Sequence, residues 1–96
     1  MLIRLTEVHR NTSLTTKNEY MLREVFVNPE HVVMIREDAR MQTLNEQSQL
    51  PSSLMKDHRF TKLTINRGQT GTEIVVVGAP DMVERSLNQK AQLLRG

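Results

Sequence analysis

The chain contains no cysteine, which excludes a disulfide framework, a thiolate-ligated zinc site and a nucleophilic thiol. It has no tryptophan, and Tyr20, Phe26 and Phe60 are its only aromatic residues. The core must therefore be built from Val, Ile, Leu and Met, and a platform for stacking nucleic-acid bases lacks its raw material. No apolar run approaches the roughly 18 residues of a membrane helix, and Arg4 and Glu7 interrupt the stretch where a signal peptide needs apolar residues. These features predict a cytoplasmic protein with no membrane insertion. Nor does one sign of charge dominate: thirteen basic and eleven acidic residues leave a formal charge of +2. The basic residues are dispersed, many beside an acid, whereas a nucleic-acid footprint gathers them in a stripe.

Ninety-six residues suffice for a single domain with one modest core. The stretch Arg23 to Glu37 organises it. Leu22 to Val27 and Val32 to Ile35 are β-branched or apolar runs, and Asn28-Pro29-Glu30 between them supplies a corner, because proline presets φ and asparagine bonds the backbone ahead of it. In the first run Val25 and Val27 share one face, and Glu24, Phe26 and Asn28 the other. The second is apolar on both faces, the pattern of a strand covered on both sides, and is expected in the middle of the sheet.

Before this stretch, residues 2 to 8 alternate as a strand, and His9 to Glu19 is a polar connection without period. Beyond it, residues 38 to 58 break the β pattern. They read as an inserted loop, with a short helical turn at Ser52 to Met55. Phe60 to Ile65 and Thr72 to Val77 then form a hairpin about Asn66 to Gly71. Pro80 opens a helix, and Val83, Leu87, Ala91 and Leu94 make its apolar stripe. The expected fold class is α+β: a largely antiparallel, meander-like five-stranded sheet and one C-terminal amphipathic helix running to about Leu94.

Chemistry-bearing constellations are sparse. His9, His31 and His58 lie in separate segments without metal-ligand spacing, and Glu37 and Asp38 are neighbours that point to opposite faces of a strand. No serine or threonine stands in a nucleophile motif. Gly68-Gln69-Thr70-Gly71 has the G-x-x-G form of a KH loop but joins two strands rather than two helices, so it reads as a turn. The chain is expected to be no enzyme and to hold no cofactor or metal.

The candidate site is the insert and its flanks. Met41, Leu44, Leu50, Leu54 and Met55 either pack on the core or form an adaptable protein-binding surface, and in the latter case residues 41 to 56 could be deleted without loss of the fold. Arg36, Arg40, Arg59, Lys62 and Arg67 are the candidate basic patch for nucleic acid. A homodimer that closes sheet edges against each other is the oligomer expected from the size of the core.

MLIRLTEV, VFVNPEHVVMIRE, KLTINRGQTGTEIVVV and PDMVERSLNQ together resemble the flagellar FlbD/SwrD family of very small bacterial proteins. There an initial strand, an N-P-D corner, a T-x-I hairpin and a terminal amphipathic helix occur in the same order. The likeness covers about two-thirds of the chain and departs from the family at residues 38 to 58 and at the longer first hairpin. It implies a non-enzymatic accessory protein with no catalytic residues to carry over; the lack of a catalytic constellation and the Met- and Leu-bearing insert point to docking on a larger cellular or viral assembly. The same corner and hairpin resemble half of a LytTR-type DNA-binding domain, which keeps a transcription-related nucleic-acid module as the alternative.

Overall fold

The computed structural model describes residues 1–10, 20–51, 54–68 and 70–88, the side chains of Arg67 and Thr70 excepted. Five strands, β1 (Ile3–Arg10), β2 (Tyr20–Val27), β3 (Val32–Glu37), β4 (Phe60–Arg67) and β5 (Thr70–Val77), form one antiparallel sheet in the order β2-β1-β5-β4-β3. Two helices, α1 (Ala39–Glu46) and α2 (Pro80–Leu87), and a 3-10 turn at Pro29–His31 complete an α+β fold. The helix reading from Leu87 to Leu94 and the polar connection at 11–19 lie outside the described residues.

The β4–β5 hairpin is in the register that its alternation implies, from Phe60↔Val77 to Arg67↔Thr70. Gly68 at its tip takes φ +76, a conformation that a side chain disfavours. β5 is the central strand, and Val76 is fully buried within it.

The placing of the third strand at the centre is corrected. Among the described residues β3 is an edge strand, bonded to β4 alone, with a register shift between Val32 and Met34. The bulge leaves Val33 opposite no residue and 61% exposed, and Met34 faces the uncovered side. An apolar run on both faces thus reflects one bulged residue and one exposed methionine, not burial on both sides.

The sheet curls strongly. Four strand spacings, about 19 Å, would separate β2 from β3 in a flat sheet. The five steps from Val27 to Val32 pass through a 3-10 turn and span only roughly 13 Å. Curling is accommodated at the β1–β5 junction, where only Glu7↔Val76 and Val8↔Val75 pair. It brings Val27 of the outer strand β2 into one buried cluster with Leu63, Val76 and Val83. Helix α2 lies over this concave face. Its chain direction is set at Gly78, whose φ of +126 turns the strand toward Pro80 and whose N–H donates to Arg59 O at 2.7 Å. Proline in the first turn loses no needed hydrogen bond, and Asp81 sits favourably in that turn.

The described part of residues 38–58 carries helix α1 rather than a plain loop, and the start of the turn expected at Ser52 to Met55 lies outside the described residues. Asp38 caps α1 by accepting the Met41 N–H at 3.0 Å. After the helix, Ser48 turns the chain at φ +63, a position usually given to glycine. Asn45, itself buried, donates from Nδ2 to Met55 O at 2.8 Å and ties the helix to the returning loop. The excursion covers the convex side of the sheet near Val8 and Phe60 and builds a second core cluster there.

Candidate functional site

The corner between β2 and β3 is rigid for local reasons. Asn28 Oδ1 accepts the Glu30 N–H at 3.0 Å, and the His31 N–H donates to Asn28 O at 3.0 Å. Proline fixes φ between these two bonds. The corner holds Asn28 and His31 at the rim of a half-enclosed concavity of about 410 Å³. It is lined by Val25, Val27, Ile65 and Ile74 of the concave face, with Thr72 beside them, and at its margin by Leu2 and by Phe26, whose side chain leaves the opposite face of β2. Leu2 is 59% and Phe26 55% exposed.

The concavity exists because the curled sheet does not close. β2 and the β4–β5 hairpin approach across the concave face, yet among the described residues the outer edge of β2 has no partner strand. An apolar hollow beside unpaired backbone N–H and C=O groups suits an extended segment that offers apolar side chains at alternate positions. Its volume lies in the range of ligand pockets, and Asn28, His31 and Thr72 are its polar lining residues. One signal for it was present in the sequence: Phe26, an aromatic residue, sits on the polar face of its strand between Glu24 and Asn28.

The structure divides the five apolar candidates of the insert. Met41 and Leu50 are buried with Val8 and Phe60, and Leu44 and Leu54 are partly buried against the same cluster. Met55 alone of the five is exposed, at 65%. Four of the residues therefore serve as core, and the expectation that 41–56 is dispensable to the fold is corrected, because its removal would uncover Phe60 and Val8.

The basic candidates do not form one patch. Arg36 pairs with Glu73 at 3.7 Å, and Arg59 pairs with Glu37. Lys62 stands opposite Arg36 across the β3–β4 ladder, on the same face. Arg40 is exposed on α1, and the Arg67 side chain lies outside the described residues. Acids neutralise two of the five positive charges at short range, which weakens the field available to a phosphate backbone.

One ionisable group lies where alternation alone does not explain it. Glu7, on the concave face of β1, is buried, and its Oε1 accepts from Arg23 Nε on β2 at 2.8 Å. The two residues are direct cross-strand partners. The arginine is half exposed, so it carries the charge of the pair out to solvent while its stem covers the carboxylate. The histidines remain apart: His31 is at the corner, His9 is on β1, and His58 closes a turn in which its Nδ1 accepts the Met55 N–H at 3.0 Å. Among the described residues no three His, Asp or Glu side chains converge as a metal site would require, and no helix is long and apolar enough to cross a membrane.

Comparison with family models, with curated proteins and with solved structures gives no match to this chain.

Proposed function

We propose that this chain is a non-enzymatic accessory or regulatory module that docks on a larger cellular or viral assembly by the outer edge of β2 and the concavity beside it. The observation that carries the reading is the hollow of about 410 Å³ with Leu2 and Phe26 exposed at its margin. Large apolar side chains standing in water beside a concave apolar floor are the usual mark of a protein contact. The partner is a protein segment in extended conformation whose side chains enter over Val25 and Ile74. The insert contributes chiefly by holding the sheet from its convex side, with Met55 as its exposed apolar residue. The likeness to the FlbD/SwrD proteins supports the same accessory role.

The experiment is capture of partners from lysate by the intact chain, in parallel with Phe26→Asp and Leu2→Asp, each verified as folded by circular dichroism. A partner that survives nuclease and high salt, and is lost with both variants, supports docking at the hollow. Equal capture by the variants refutes it. The nucleic-acid alternative draws on Arg36 and Lys62, which lie side by side on one face. It requires binding that falls steeply with salt and is lost with Lys62→Glu.

A further inference from the structure

The other edge of the sheet is built differently, and we propose that it joins two copies of this chain. Asp38 N–H donates to Phe60 O at 2.9 Å. Backbone direction alternates along a strand, so Arg36 and Met34 also direct their N–H and C=O groups at β4, and those of Ile35 and Glu37 point outward from the free edge. Unpaired outward groups on an apolar edge strand are a template for another strand.

Which strand it takes follows from the charge pattern. Two-fold antiparallel pairing keeps each face of the sheet on one side, so the residue on the axis faces its own copy. Centred on Ile35, the pairing sets Ile35 against Ile35, Met34 against Arg36, and Val33 against Glu37. Ile35 then exchanges both backbone hydrogen bonds with its copy, and no like charges are directly opposed. The charges that could interfere are drawn back over the sheet by their own partners, Arg36 to Glu73 and Glu37 to Arg59. Centring on Arg36 or Glu37 would oppose like charges, which disfavours those registers.

The same rule argues against self-pairing of β2. Its two longest registers centre on Arg23 or Glu24 and oppose each with itself. On β3 the exposed apolar side chains at the seam are Val33 and Met34. Beside them the groove of about 250 Å³ between β3 and the Glu84 to Asn88 side of α2 runs along the same edge. The occupant of this edge is therefore a second copy, giving a continuous ten-stranded sheet, while the docking hollow at β2 stays open on each copy. The two proposals use opposite edges, so either can fail alone.

The test is sedimentation of the intact chain from low to high micromolar concentration, with Met34→Lys and Phe26→Glu in parallel. Native protein and Phe26→Glu should sediment as dimers. Met34→Lys, at an exposed position that leaves the monomer core untouched, sets a second cation against Arg36 across the seam and should raise the dimer dissociation constant by at least about tenfold. A second measurement uses Ile35→Cys in a chain with no other cysteine. A hydrogen-bonded antiparallel pair holds its Cα atoms about 5.5 Å apart, within reach of a disulfide. Oxidation should therefore give a covalent dimer, and the same treatment of Phe26→Cys should not. A native monomer at every concentration, a dimer that persists unweakened in Met34→Lys, or a dimer lost in Phe26→Glu would overturn the proposal.

Discussion

Phe60→Ala tests whether residues 38–58 belong to the core. The ring is fully buried and shares its cluster with Val8, Met41 and Leu50, so it joins the sheet to the excursion that covers it. Removing it forfeits the transfer free energy of the ring and leaves a cavity, for which Phe→Ala substitutions cost about 3–5 kcal/mol. Two of the surrounding side chains come from the excursion, and Met41 is flexible enough to fill part of the space. The expected loss is therefore near the lower end, about 3 kcal/mol. For a domain of this size that corresponds to a fall in Tm of roughly 12–24 °C. The assay is urea unfolding followed by circular dichroism, with Met55→Ala as the exposed control, which should stay within about 0.5 kcal/mol of native. A loss below about 1 kcal/mol for Phe60→Ala would mean that the excursion does not rest on the ring, and the reasoning that makes it part of the core would fall.

Three further outcomes are expected. Deleting residues 41–56 should abolish cooperative unfolding, read by the same assay, because Val8, Phe60 and the apolar residues around them lose their cover; a cooperative transition near the native midpoint would contradict this. Arg23→Ala should cost about 1–3 kcal/mol by leaving the buried Glu7 carboxylate without its partner, and Glu7→Met combined with Arg23→Met should recover most of that loss; a double variant as unstable as Arg23→Ala would argue against the pairing. Gly78→Ala should destabilise by about 1–3 kcal/mol in thermal unfolding, since φ at +126 disfavours any side chain. The added Cβ would lie 3.5 Å from Val83 Cγ2, an ordinary contact, so backbone strain and not a clash is the expected cause.

Local chemistry carried much of the architecture. Alternation along Thr72 to Val77, the Asn28-Pro29 corner and the proline opening of α2 are written in neighbouring residues and formed where expected, while the hairpin turn is tighter than the Asn66 to Gly71 read from the sequence, since Asn66 pairs with Gly71 and Arg67 with Thr70. The segregation of Val25 and Val27 from Phe26 was also legible, because side chains on a strand can only alternate. Helix α1 was obscured for an identifiable reason: its buried positions, Met41 and Asn45, include a polar residue, so no apolar stripe announces it.

Three features depended on contacts between distant segments. Whether β3 is central or an edge follows from strand order, and its composition was misleading because a bulge and one exposed methionine produce the same run of apolar letters as burial on two sides. The burial of Glu7 follows from its cross-strand partner Arg23, sixteen residues away, which no local pattern names. The hollow at β2 and the packing of Met41 and Leu50 arise from curling of the sheet and the return of the chain across it. Strands, turns and caps could be read from the chain alone, because each depends on residues a few positions apart. Strand order, curl and the choice of which apolar residues stay in water came only with the folded molecule, because they depend on surfaces that no single segment contains.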